Sequence, residues 1–231
     1  MQGVDRLRRY LESRGLSGRF PDALTLTREP YYLDGKDAGD FDVMSADVTS
    51  PDGIVVSRHR TYLCPKGDGK LTEIDGAPVT ARKLTKGQIP KGSAIRLCNE
   101  KDVLAVAEGV ETALAVREGS GVACWSCVSA TGLALFEPPP WAYLIEIWGD
   151  TDESQAGQRA AARLSDRLRG KGVDVRVMLP TVVGRDWLDV LVEEGEDALL
   201  AARETAARLW RASRAGREAL EDAALLRKAI R

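Results

Sequence analysis

A single histidine, His59, is all the imidazole this 231-residue chain contains. That excludes every mechanism or zinc site needing two imidazoles, the common hydrolytic metalloprotease patterns among them. No apolar run approaches the ~20 residues of a membrane-spanning helix, and the opening MQGVDRLRRYLESRG lacks the apolar stretch of a secretory signal. The chain is therefore expected in the cytoplasm, with no membrane contact. Cysteine is sparse as well. A reducing compartment disfavours disulfides, and Cys64 and Cys98 lie far in sequence from Cys124 and Cys127. Cys124-Trp-Ser-Cys127 has metal-ligand spacing, but it falls in an apolar run that reads as a strand, whose alternation sends the two thiols to opposite faces. Core packing is the expectation there. With imidazole and thiolate set aside, any metal chemistry falls to carboxylates. At 44% hydrophobic and 29% charged residues the composition is that of a folded globular chain, one large domain or two small ones.

The net charge of −2 conceals a segregation. From Arg58 to Arg96 nine positive residues face three negative ones, whereas from Lys101 to Glu193 nine positive face fourteen negative. A basic stretch beside an acidic one suits a polyanion-binding enzyme with bound cations, the first gripping phosphates and the second collecting divalent metal. The same blocks also suit plain solvated surface. His59, between Arg58 and Arg60, reads either as one more phosphate contact or as an ordinary strand residue. Gly67-Asp-Gly69-Lys70 lacks the full spacing and following hydroxyl of a phosphate loop and reads as a hairpin turn with an exposed lysine.

Three regions follow from the rhythm of the chain. Residues 1–100 combine an opening helix, Val4 to Ser13, with short β-like runs such as Gly53–Val56 and Ser93–Leu97, a small basic α+β subdomain. Residues 101–193 alternate strand and helix. Val103–Ala107, Gly121–Val128 and Tyr143–Trp148 read as buried strands, and Val173, Val175, Val177 and Leu179 alternate as a fourth that Pro180 ends. Helices are expected over Glu111–Arg117, over Thr131–Phe136 and around Ala161, Leu164 and Leu168, the last stopped by Gly170 and Gly172. This pattern implies an α/β fold, a mostly parallel sheet with helices on its faces and a site beyond the carboxyl ends of its strands. Residues 194–231 form a helical tail whose Arg208, Arg211, Arg214 and Arg217 wind around the axis, with Leu209, Leu220 and Leu225 packing on the body or on a partner.

Three acidic clusters fall at the expected strand ends: Glu108-Gly-Val-Glu111, Asp150-Thr-Asp152 and Asp186-Trp-Leu-Asp189. Carboxylates gathered in this way repel one another unless a cation neutralises them, and hard oxygen donors suit Mg²⁺ or Mn²⁺. If the strand simply continues, Asp150 and Asp152 project to one side and approach the same metal pair. On that picture Asp152→Asn relieves repulsion, and stability without metal holds or rises slightly.

At this point the residues resemble a family. AEGVETALA at 107–115, IWGDTDESQAGQRAA at 147–161 and RDWLDVL at 185–191 are similar to the TOPRIM domain of bacterial-type primases, in its phage and plasmid branch. SRHRTYLCPKGDGK at 57–70 and KGSAIRL at 91–97 are similar to the subdomain that precedes TOPRIM in those proteins. The resemblance implies a TOPRIM-like fold, with Glu108 as metal ligand or general acid/base and Asp150 and Asp152 as metal-binding aspartates. Asp186 and Asp189 match the later acidic pair. It also implies Mg²⁺ or Mn²⁺, a single-stranded DNA template and NTPs, with Arg58, His59, Arg60, Arg82, Lys83, Lys86 and Arg96 gripping template or triphosphate. One departure is Gln155, which stands where a glycine is expected. The implied activity is nucleotidyl transfer that makes short RNA primers. The same acids would serve a metal-dependent nuclease, and an accessory protein that binds single strands and docks on a helicase or other replication partner through its C-terminal helix is the non-enzymatic alternative.

Overall fold

The computed structural model describes residues 2–17, 19–85, 89–99 and 101–229, with side chains from residue 4 to residue 214. The chain opens with helix α1 (Gln2–Ser13), which buries Leu7, Tyr10 and Leu11 at i, i+3 and i+4. Strands β1 (Leu24–Leu33) and β2 (Lys36–Thr49) form a hairpin through Asp34 and Gly35. Both turn residues have positive φ, as the tight hairpin turn demands. β3 (Val55–Tyr62) follows, then a small ribbon of β4 (Glu73–Ile74) and β5 (Ala77–Pro78), then the short edge strand β6 (Arg82–Leu84). The first sheet is antiparallel in the order β1-β2-β3-β6.

Beyond it the period changes. β7 (Val103–Ala107), α2 (Val110–Ser120), β8 (Cys124–Ser126), α3 (Ala130–Leu135), β9 (Leu144–Trp148), α4 (Ala156–Gly170) and β10 (Asp174–Met178) alternate along the chain. The four strands form a parallel sheet in the order β10-β9-β7-β8. Central strands β7 and β9 are covered on both faces, which is why they read as apolar runs, interrupted in β9 only by Glu146. Helices α5 (Trp187–Glu194) and α6 (Glu196–Ala229) close the fold. One core joins Leu7 and Tyr10 of α1, Met44 and Val48 of β2, and Ala113, Leu188 and Leu199 of the parallel-sheet half. Cys124 lies in that core and Cys127 in the one on the other side of the sheet, the split that strand alternation requires.

Several expectations need correction. Ser93–Leu97 is no ladder strand: Ala94 bridges to Thr49 and Ile95 to Ser126, so this segment ties one sheet to the other. The second strand spans only Cys124–Ser126, because Gly121 ends α2 in a left-handed conformation and Val128 turns the chain at φ +72°. Lys70 is not exposed on its turn but forms an ion pair with Glu111. In α6, Leu209 is 64% exposed, and the helix packs instead through Leu199 and Ala207. The side chains of Leu220 and Leu225 lie outside the described residues. Glu146, in the middle of β9 and 0% exposed, drew no attention in the sequence. It holds α6 to the sheet by pairing with Arg203 at 2.8 Å and with Arg176 at 3.0 Å. No helix among the described residues is long and apolar enough to cross a membrane.

Candidate active site

The carboxyl ends of β7 and β9 deliver Glu108 and Asp150 side by side, since Ala107 and Trp148 are register partners. The backbone must be tight here. A Cβ on Gly157 would stand 2.6 Å from the Asp150 carbonyl oxygen, so only glycine lets α4 approach. Trp187 completes the floor. Its ring packs edge-on against Trp148 at 4.8 Å, and its Nε1 donates to the Gly149 carbonyl at 3.1 Å, which places the adjacent Asp186 beside Asp150.

Each acid has a different environment. The Oδ1 of Asp150 is buried without a hydrogen-bond partner. Burial, then the charges of Glu108, Asp186, Asp152 and Asp189, push its carboxyl up to about 8. Glu108 is raised by burial, with Asp152 and Asp186 adding to the shift and the Ala130 amide and Arg82 opposing it. Asp186 is also raised, first by burial. It caps α5, with Oδ1 accepting from the amides of Leu188 at 2.8 Å and Asp189 at 2.9 Å, while Asp189 accepts from the Asp186 amide at 3.1 Å. This is the reciprocal capping box. Thr112 Oγ1 reaches the other Asp186 oxygen at 3.4 Å.

Asp152 does not point alongside Asp150, because the strand ends at Trp148 and the chain turns. Its carboxylate accepts from Ser154 Oγ and from the amides of Ala156 at 3.0 Å and Gly157 at 2.8 Å, tying down the start of α4. The Ser154 hydroxyl and then those amides hold it down to about 2. The expectation that Asp152→Asn leaves metal-free stability intact therefore fails, since the substitution removes a charged cap. Gln155, the departure noted in the sequence, adopts φ +59°, the left-handed conformation that glycine takes without strain.

The basic residues separate by strand alternation. Thr61 of β3 pairs with Arg82 of β6, and Arg60 with Lys83, so Arg82 lies on the face of Thr61 and His59, while Lys83 lies with Arg58 and Arg60 on the opposite face. Those three are engaged where they stand. Arg58 pairs with Asp47 at 3.1 Å and Arg60 with Glu29 at 3.3 Å. The Lys83 ammonium sits 3.3 Å from the centre of the Tyr31 ring and donates to the Tyr32 carbonyl. Arg96 donates to the carbonyls of Ser50 and Pro51 and lies over the Trp125 ring. His59 is 5% exposed and pushed down to about 4 by burial, with Nδ1 unpartnered, so it offers no surface contact. Lys86 lies outside the described residues. Of the six of these that the structure describes, Arg82 shares the acidic site, with an effect on Glu108, and among the described residues no hydrogen bond or ion pair holds it.

Sequence reasoning missed Tyr10 and Lys70, both bound to the buried Glu111. Burial works to raise Glu111, but Lys70, Tyr10 and Arg82 outweigh it and leave the carboxyl below its usual range. The one signal in the sequence was Glu111, an acid in the first turn of a helix that follows a buried strand.

Residues 103–197 match the Toprim domain family. The chain as a whole has the fold of bacterial and phage primase catalytic cores, with the Toprim match confined to that segment. Residues 4–97, which precede the Toprim domain, match a domain of unknown function, DUF7146. The primase fragment of the bacteriophage T7 primase-helicase is similar in structure, with a TM-score of 0.51 at 18% identity over 84% of this chain and 67% of that one. The Aquifex aeolicus primase, zinc-binding and RNA polymerase domains, gives 0.55 at 15% identity over 87% of this chain, which spans only 59% of its length. A DnaG primase catalytic domain bound to single-stranded DNA gives 0.54 at 16% identity over 89% of this chain and 75% of that one. A search of curated proteins finds no match.

Among the described residues no three His, Cys, Asp or Glu side chains stand close enough to hold one ion. The donor chemistry nonetheless fits a hard divalent cation: the groups are all oxygen, and Asp150 presents a buried, unpartnered oxygen among like charges.

Proposed function

We propose that the chain is a primase-like nucleotidyltransferase core that makes short RNA primers on single-stranded DNA. The observation that carries this reading is Asp150, a buried carboxylate without a partner, at the carboxyl edge of a Toprim sheet beside Glu108 and Asp186. Asp150, Glu108 and Asp186 would close on Mg²⁺ or Mn²⁺ as the ion binds, joined by Asp152 and Asp189 where these leave their helix caps. Such ions supply positive charge to the attacking and leaving oxygens of an in-line displacement. Arg82, facing these acids and without a partner among the described residues, grips the triphosphate or template phosphate. Glu108, raised by burial, is the group suited to take the proton of the 3′ hydroxyl. Arg58, Arg60, Lys83 and Arg96 keep a part only where a phosphate displaces their present partners, and His59 acts from beneath the surface.

The division into 1–100, 101–193 and 194–231 is part of this proposal, as are cytoplasmic location and docking of a helicase or other replication partner on the C-terminal helix. The fold neighbours include a primase-helicase fragment, which supports a helicase partner, and a primase domain bound to single-stranded DNA, which supports the choice of template. Incubating the full chain with single-stranded DNA, labelled NTPs and Mn²⁺ tests it. Labelled oligonucleotides bear the reading out. Shortened DNA without them replaces it with a metal-dependent nuclease, and retained but unchanged DNA replaces it with a binding accessory protein.

A further inference from the structure

Lys70 and Glu111 have no part in the chemistry above, yet they join its two halves. Lys70 Nζ lies 2.7 Å from Glu111 Oε1, and the Tyr10 hydroxyl donates to the same oxygen. Glu111 is 95% buried, so this carboxylate is specified by its partners and not by solvent. Around it converge α1 through Tyr10, the end of β3 through Lys70, and β3 itself, whose buried His59 feels the charges of Glu111, Arg82 and Lys70. All of these lie on the amino-terminal side, while Glu111 belongs to the first turn of α2, three residues after Glu108.

The connections on each side are short. Lys70 bridges to Leu63, the residue after β3, and Arg82 pairs with Thr61 inside β3. Lys70 and Arg82 are therefore held opposite positions two residues apart, one just past β3 and one within it. Glu111 and Glu108 flank Gly109, whose added Cβ would stand 3.9 Å from an Arg82 guanidinium nitrogen. Apolar packing between the halves is non-directional and tolerates sliding. An ion pair and a hydrogen bond to one buried oxygen are directional, and such pairs are poor sources of net stability compared with apolar side chains of the same size.

We propose that Glu111, clamped by Lys70 and Tyr10, is a positioning residue that fixes β3 against α2 and so holds Arg82 over Glu108 and Gly109. The inference rests on the reading of Arg82 and Glu108 as groups of the reacting site. It assigns a joint task to the DUF7146 segment, which contributes Tyr10, Lys70 and Arg82, and the Toprim segment, which contributes Glu111.

The test uses the full chain with E111Q, K70M, K70R, R82A and the E111Q/R82A pair. Primer synthesis with Mn²⁺ gives kcat and KM for the NTP. E111Q and K70M should each raise KM about tenfold, a coupling ordinary for groups in one network. K70R should restore most of the loss. The double variant should be no worse than R82A alone, because Glu111 acts through Arg82; a general loss of fold would instead multiply the two defects. In parallel, nitroxides at Leu84 on β6 and Thr131 on α3 report the distance between the halves, which should broaden in E111Q and K70M and narrow again in K70R. Multiplied defects, or an unchanged distance distribution, overturn the clamp. If the wild-type chain transfers no phosphoryl group, the proposed function falls, and the distance measurement still decides the clamp by itself.

Discussion

Replacing Asp150 with asparagine should stabilise the metal-free protein, by an amount that depends on pH. The carboxyl rises from an ordinary 3.8 to about 8 in the fold. At ~1.4 kcal/mol per pH unit that separation amounts to roughly 6 kcal/mol. The folded state binds the proton more tightly than the unfolded chain, so the stabilising contribution of this group is complete below pH 3.8 and is lost as pH rises through about 8. Asparagine resembles the protonated acid and does not titrate. The variant and the wild type should therefore be equally stable near pH 4, diverge in favour of the variant between pH 4 and 8, and run parallel above that. Urea unfolding in EDTA at one-unit intervals from pH 5 to 9 reads the difference directly. A domain has only about 5–15 kcal/mol of stability in all, so a cation placed beside this carboxylate would have a large effect. Mn²⁺ should accordingly close the gap by stabilising the wild type and not the variant. A difference that stays flat from pH 5 to 8, or a variant less stable than wild type at pH 8, would refute the claim that this carboxylate is desolvated among like charges.

Further outcomes follow from the same geometry. The apparent affinity for Mn²⁺, read from thermal shifts, should rise about tenfold per pH unit up to about 8 and then level off, because binding expels the Asp150 proton. Asp152→Asn should lower the melting temperature in EDTA, since three donors to its carboxylate secure the start of α4, and nucleotidyl transfer should fall by ~100-fold. Arg82→Ala should weaken binding to single-stranded DNA and reduce the slope of log affinity against log salt by about one phosphate contact. Lys83→Ala should leave that slope alone and cost stability through its lost contact with Tyr31. Glu146→Gln leaves two arginines facing a neutral side chain and should cost about 3–5 kcal/mol, with hydrogen exchange rising first in α6.

What could be read in advance divides by the kind of signal involved. Val103–Ala107 and Leu144–Trp148 were legible because a strand buried on both faces is mostly apolar, with Glu146 the exception, and that leaves Glu108 and Asp150 conspicuous just past their ends. The acids were thus located by position along the chain, which sequence records. Their individual states were not legible, because these depend on which backbone amides lie within reach. Asp150 and Asp152 are two residues apart, and one is raised to about 8 while the other is held at about 2. The difference arises after Trp148, where Asp152 meets the Ser154 hydroxyl and the amides of α4 while Asp150 is buried among other acids.

The basic stretch shows the same limit from the other side. Counting charges from Arg58 to Arg96 treats the region as one surface, but a pleated sheet has two, and adjacent residues fall on opposite ones. Arg82 and Lys83 are neighbours in sequence, and only Arg82 faces the acids. The alternation was available in advance, but the pairing that tells which phase faces inward was not, because it is set by partners 20 or more residues away, such as Thr61 opposite Arg82. Lys70 gives the sharper case. A lysine after Gly-Asp-Gly reads as exposed on composition alone, and it becomes an anchor only because Glu111, 41 positions onward, has its carboxylate buried where no water can serve it. Charge in a sequence therefore marks where electrostatic work is done in this fold, while burial decides whether that charge meets a ligand or meets another residue of the chain.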